Sequence, residues 1–143
     1  IVCSHCDSIN HLSEARSALE AKRGRCGRKL FAASPQDVSG TTFERYVART
    51  TIPLLVDVWA PWCGPSRVMA PTYEAAAREL EPAVVLVKLN SDREQAISAQ
   101  LGIRGIPTMI LFHGGKEIAR TSGAVSSGQI VRWVRERLPS AAV

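Results

Sequence analysis

The 143-residue chain has no apolar run approaching the roughly 20 residues of a membrane span. Its longest, such as Pro82–Val87 and Met109–Phe112, fall far short, so no membrane association is expected. Cysteine is sparse, with only Cys3, Cys6, Cys26 and Cys63, and three of them crowd into the first 26 residues. A secreted disulfide scaffold is denser and shorter, so metal-binding or reactive thiols in a reducing compartment fit better. No basic-then-apolar leader opens the chain, which begins at Ile1, and a cytoplasmic location is expected. Neither strong charge nor low complexity is present. With 45% hydrophobic and 22% charged residues, disorder, collagen-like repeats and coiled coil are excluded.

The net charge is +5, which raises the question of nucleic acid or an acidic partner. Six of the basic residues (Arg16, Lys22, Arg23, Arg25, Arg28, Lys29) lie in the first 33 positions, against Asp7, Glu14 and Glu20. That is a weak basic patch, and Phe31 is the segment's one aromatic for base stacking. Nucleic-acid binding is therefore not expected.

Composition changes near residue 33, which divides the chain into a polar, cysteine-bearing segment 1–33 and a domain 34–143. In the domain, strand and helix signals alternate. Phe43, Tyr46 and Val47 form a helical stripe, with Ser39 or Thr41 as N-cap. Leu54–Trp59 and Val84–Leu89 are nearly continuous apolar runs, as in parallel strands covered on both faces. A helix is expected from about Cys63 to Leu80, and a short one over Gln95–Leu101 stopped by Gly102. Thr108–Phe112 and Glu117–Thr121 flank Gly114–Gly115 as a hairpin. Ile130, Val131, Val134 and Leu138 line a closing helix. The pattern is that of an α/β layer sandwich.

The chemistry concentrates in Trp59-Ala60-Pro61-Trp62-Cys63-Gly64-Pro65-Ser66, where a buried strand hands over to a helix. A thiol in the first turn faces unpaired N–H groups and the positive end of the helix dipole, and both favour the thiolate. Pro65 suits a helix start, where its missing N–H is no loss. A buried structural cysteine is the competing reading, since Cys is among the most buried residue types. The flanking residues decide against it. Asp57 interrupts an apolar strand, where burial should raise its pKa. Pro71 sits inside a helix, where it has no N–H to donate to the Arg67 carbonyl and its ring clashes with that carbonyl, so a kink is expected. Lys88 by itself reads as a strand-end lysine in solvent, and Pro107 as an ordinary trans proline.

Taken together, Trp62-Cys63-Gly64-Pro65, Asp57, Trp59, Pro71, Lys88, Ile106-Pro107-Thr108, Gly115 and Gly123 resemble, in order, the motifs of the thioredoxin family. The resemblance covers residues 34–143 and implies the thioredoxin fold, a central mixed sheet flanked by helices. It implies a protein disulfide reductase in which Cys63 is the nucleophile and Asp57 a proton acceptor or donor moderated by Lys88. Trp62, Gly64, Pro65, Ile106, Pro107 and Gly123 then form the substrate surface, with Pro107 cis beside the sulfur. Implied partners are disulfide-containing proteins and thioredoxin reductase; no organic cofactor is implied.

Ser66 departs from the family, which has a second cysteine there. The first cysteine attacks a substrate disulfide and the second resolves the mixed disulfide, which a hydroxyl cannot do. Two explanations stand: an engineered Cys→Ser change that traps the substrate, or a natural monothiol protein. A non-catalytic binding module with a basic N-terminal segment is a further alternative.

Cys3-Ser-His-Cys6 and Arg23-Gly-Arg-Cys26 resemble the two Cys-x2-Cys pairs of the zinc-binding second thioredoxin of bacteria, with Leu30-Phe31 opening the domain as in that protein. Arg23 replaces one cysteine and cannot ligate. A zinc-ribbon-like extension is expected, holding a structural zinc through Cys3, Cys6 and Cys26. The fourth ligand is His11, His5 or water. Loss of tight zinc binding, or a Cys3–Cys6 disulfide, is the other outcome.

Overall fold

The computed structural model describes residues 35–138. The proposed zinc ligands Cys3, Cys6 and Cys26, with His5 and His11, lie outside them. The elements run β1 (Gln36–Asp37), α1 (Gly40–Arg49), β2 (Leu54–Trp59), α2 (Gly64–Leu80) and β3 (Val85–Asn90). They continue with α3 (Gln95–Gln100), β4 (Thr108–His113), β5 (Lys116–Ser122) and α4 (Ser127–Arg137).

One mixed sheet has the order β1-β3-β2-β4-β5. β1 and β2 are parallel to β3, whereas β4 is antiparallel to β2 and to β5. Because strand side chains alternate faces, β2 divides its residues between two cores. Leu54, Val56 and Val58 pack with Phe43 and Tyr46 of α1 and Ile97 of α3. Leu55 packs on the other face with Met69, Tyr73 and Ala77 of α2 and Ile130 and Val134 of α4. Asp57 shares the parity of Leu55, so its carboxyl is on the α2 side. Coverage on both faces is why the β2 and β3 runs show no polar alternation.

The helix boundaries have local causes. Ser39 caps α1, its hydroxyl accepting from Thr42 N–H at 3.1 Å. α2 begins at Cys63 as N-cap and continues through Pro71. Gly102, Gly114 and Gly115 take positive φ, ending the α3 region and turning the β4–β5 hairpin. α4 opens with a reciprocal capping box between Ser126 and Gln129. Ser126→Ala removes the acceptor for a first-turn N–H and is expected to cost about 1 kcal/mol, read as a lower urea midpoint.

Candidate active site

β2, the central strand, ends at Trp59, and the chain turns through residues 60–62 before α2 begins. Cys63 is the N-cap of that 17-residue helix, with extended backbone (φ −86°, ψ 114°), and its side chain caps no backbone N–H. The sulfur therefore stands at the mouth of α2, beside the first turn of the helix. Cys63 is 8% exposed, at the surface yet enclosed on most sides. Its thiol donates to the Ile106 carbonyl at 3.5 Å.

Ile106 and Pro107 are joined by a cis peptide bond, as the family resemblance implied and the proline alone did not. Two contacts fix this loop. Gly123 N–H donates to the Pro107 carbonyl at 2.9 Å, and Thr108 Oγ1 donates to the Gly105 carbonyl at 2.6 Å. Gly123 has φ 99°, a conformation that an L side chain resists, so glycine at the end of β5 is what lets the two loops meet.

Beneath the surface lie Asp57, fully buried, and Ser66, 2% exposed in the first turn of α2. Neither Asp57 oxygen nor the Ser66 hydroxyl has a hydrogen-bond partner among the described residues. Burial pushes Asp57 up to about 7; Lys88 opposes the rise and Asp37 adds to it. Lys88 stands directly opposite Asp57 in the β2–β3 register, and its Nζ lies 4.3 Å from the Trp59 ring centroid. Lys88 is thus half-buried within β3 and acts electrostatically on Asp57.

The apolar rim is built from residues anchored by acids that the sequence does not advertise. Trp62 is 68% exposed, and its indole N–H donates to Asp92 at 3.0 Å. Trp59 donates to Asp37 at 2.6 Å. Gly64 and Pro65 are exposed beside Trp62, and the space around Gly64 is open. Cys63, Ile106 and Pro107 are therefore brought together, with Trp62, Gly64 and Pro65 on the same exposed turn. Asp57 and Ser66 lie below. Asp37 and Asp92 were missed because each acts across 22 or 30 residues, with no local spacing to reveal it.

Among the described residues, no group of three or more His, Cys, Asp or Glu could hold a metal ion. No helix among them is long and apolar enough to cross a membrane.

The geometry has relatives. The Thioredoxin family model matches residues 34–136. Thioredoxin C-3 of Corynebacterium nephridii is 32% identical over 138 residues, spanning 96% of this chain and 94% of that protein. Thioredoxin of Synechocystis is 44% identical over 95 residues, 66% of this chain and 88% of its own length. The crystal structure of a chloroplastic thioredoxin z superposes with a TM-score of 0.67 at 31% identity, covering 72% of this chain and 93% of that one. Family members are in general thiol–disulfide oxidoreductases acting on disulfide-containing substrates and reduced by thioredoxin reductase. A likeness that runs through both the cysteine turn and the sheet beneath it assigns this chain: it belongs to the thioredoxin family.

Proposed function

We propose that the chain is a monothiol thioredoxin-type oxidoreductase, half of the usual dithiol cycle. The observation that carries the reading is the pair Cys63 and Ser66: a sulfur at the mouth of α2 and, one turn on, a buried hydroxyl. The Cys63 thiolate attacks one sulfur of a substrate disulfide, forming a new S–S bond while the other substrate sulfur leaves as thiolate. The exposed turn at Trp62–Pro65 and the Ile106–Pro107 backbone receive the extended substrate segment. Ser66 cannot displace the mixed disulfide. Release requires an outside thiol, which attacks that disulfide and returns Cys63 to its reduced form.

This limits the role of thioredoxin reductase. In the dithiol cycle the reductase reopens an intramolecular disulfide, which Cys63 cannot form with Ser66. Recycling by an outside thiol suits a reducing compartment such as the cytoplasm. The chemistry is the same for an engineered and a natural serine.

The test is incubation with a disulfide-bonded protein and non-reducing electrophoresis. A one-to-one adduct that persists until dithiothreitol is added is expected from the wild-type chain and none from Cys63→Ser. Failure of the wild-type chain to form it would remove the reading.

The N-terminal extension belongs to the same proposal. Three thiols in Cys-x2-Cys and Arg-x2-Cys spacing, Cys3, Cys6 and Cys26, are a suitable donor set for structural zinc, completed by His11, His5 or water. Thioredoxin C-3 supports the extension as a shared part of the protein, since the alignment covers nearly the whole chain. Metal analysis is expected to find about one zinc per purified chain. Less than about half an equivalent would contradict it.

A further inference from the structure

Beside the reactive sulfur, between the cysteine turn, α3 and the loop leading to Pro107, lies a cavity of about 560 Å³. Its volume is within the roughly 300–1,000 Å³ typical of small-molecule sites. Cys63 itself forms part of the wall, with Trp62 and Ile106 as apolar surface. Ala99 and Ile103 extend that apolar surface, and Ser91, Gln95, Ser98 and Arg104 supply the polar groups. Gln95 commits its side-chain N–H to the Asp92 carbonyl at 3.1 Å, which leaves the amide oxygen for another donor. No acidic residue lines the cavity. Arg104 is exposed and has no ion pair or hydrogen bond with any described residue. The wall therefore presents a largely apolar surface carrying one positive charge, neutral polar groups and a nucleophilic sulfur.

We propose that this cavity seats the small-thiol half of a mixed disulfide, a carboxylate-bearing peptide thiol of the glutathione class, and that proteins S-thiolated by it are substrates. The proposal rests on the monothiol reading of Cys63 and supplies what that reading lacks. A disulfide between two protein segments leaves this chain attached to its substrate. A disulfide between a protein and a small thiol does not. Cys63 thiolate attacks the small-thiol sulfur, the Cys63–S–S–small-thiol bond forms, and the protein sulfur leaves as thiolate to take a proton from solvent. A second small thiol, as thiolate, attacks the sulfur of the bound one. The products are a small-molecule disulfide and the free Cys63 thiol. In balance, the protein–small-thiol disulfide and one free small thiol give the protein thiol and the symmetrical small disulfide: the protein sulfur is reduced, the incoming thiol is oxidised, and no second protein cysteine is needed. Arg104 holds a carboxylate of the bound peptide, a charge-assisted contact that its planar fork is suited to make.

The experiment measures modification of Cys63 by three small disulfides, followed by intact-protein mass spectrometry. They are oxidised glutathione (anionic), hydroxyethyl disulfide (neutral) and cystamine (cationic). Arg104→Glu is expected to lower the ratio of the glutathione rate to the hydroxyethyl disulfide rate about tenfold, and to raise the cystamine ratio. Arg104→Lys should keep most of the wild-type preference. Glutathione ratios that agree within about twofold between wild type and Arg104→Glu would overturn the proposal while leaving Cys63 a nucleophile. No modification by the neutral disulfide would overturn the monothiol reading, and this one with it.

Discussion

Ser66→Cys is expected to turn a protein that stops after one attack into one that cycles. In the wild-type chain, release waits for an outside thiol at millimolar concentration. A cysteine three residues after Cys63, on the same helix face, makes resolution intramolecular. Effective molarities of well-placed intramolecular groups exceed such concentrations by orders of magnitude, so an acceleration of release on the order of a thousandfold or more is expected. The readout is steady-state reduction of a protein disulfide with a chemical or enzymatic reductant in excess. The same substitution should also affect stability. The Ser66 hydroxyl is 2% exposed and unpartnered, and a buried unsatisfied polar group costs about 1–3 kcal/mol. Sulfur tolerates the same place as a small hydrophobe. The reduced Ser66→Cys chain should therefore unfold at higher denaturant concentration. Unchanged turnover would mean that the first turn of α2 does not hold position 66 within reach of position 63.

The second large effect is at Asp57, and it is a dependence on pH. Burial raises this carboxyl from 3.8 to about 7, so the folded chain holds a proton that the unfolded chain has released over that interval. Below the lower value both states are protonated and folding is indifferent to pH. As pH rises through the window the unfolded state loses its proton first, and the folded state becomes progressively less favoured. Above about 7 the penalty is complete. A difference of about three pKa units corresponds to an effect on the order of 4 kcal/mol. Asp57→Asn keeps the shape and removes the ionisation. Its stability relative to wild type should rise between pH 4 and about pH 8, and unfolding by urea at several pH values measures this directly. A parallel pH dependence in the two proteins would show that Asp57 is hydrated or paired in the folded state.

Much of this was legible in the sequence because the determining signals are local. β2 and β3 were evident as uninterrupted apolar runs, and α2 from its cysteine, proline and periodic apolar face. Asp57 was conspicuous as one acid within such a run. β1 was not foreseen: Gln36–Asp37 is two polar residues long, and only pairing with Val87 and Lys88 makes it a strand. Lys88 looked like a solvent lysine because its partners, Asp57 and the Trp59 ring, are on a neighbouring strand. The cis bond before Pro107 was implied by resemblance, not by dipeptide preference, which favours trans. A second cis bond, Glu81–Pro82, had no sequence signal at all. Arg104 and Gln95 lie in stretches without a motif, and only the folded chain brings them to the cavity that includes Cys63.

The account depends on Cys63 being both reachable and activated in the native chain. Its rate of alkylation by iodoacetamide at neutral pH, set beside that of an unstructured cysteine peptide, tests this most directly. A native rate that equals or exceeds the peptide's, with Cys63→Ser losing the fast modification, is the predicted result. Protection of Cys63 until the chain is unfolded would contradict it.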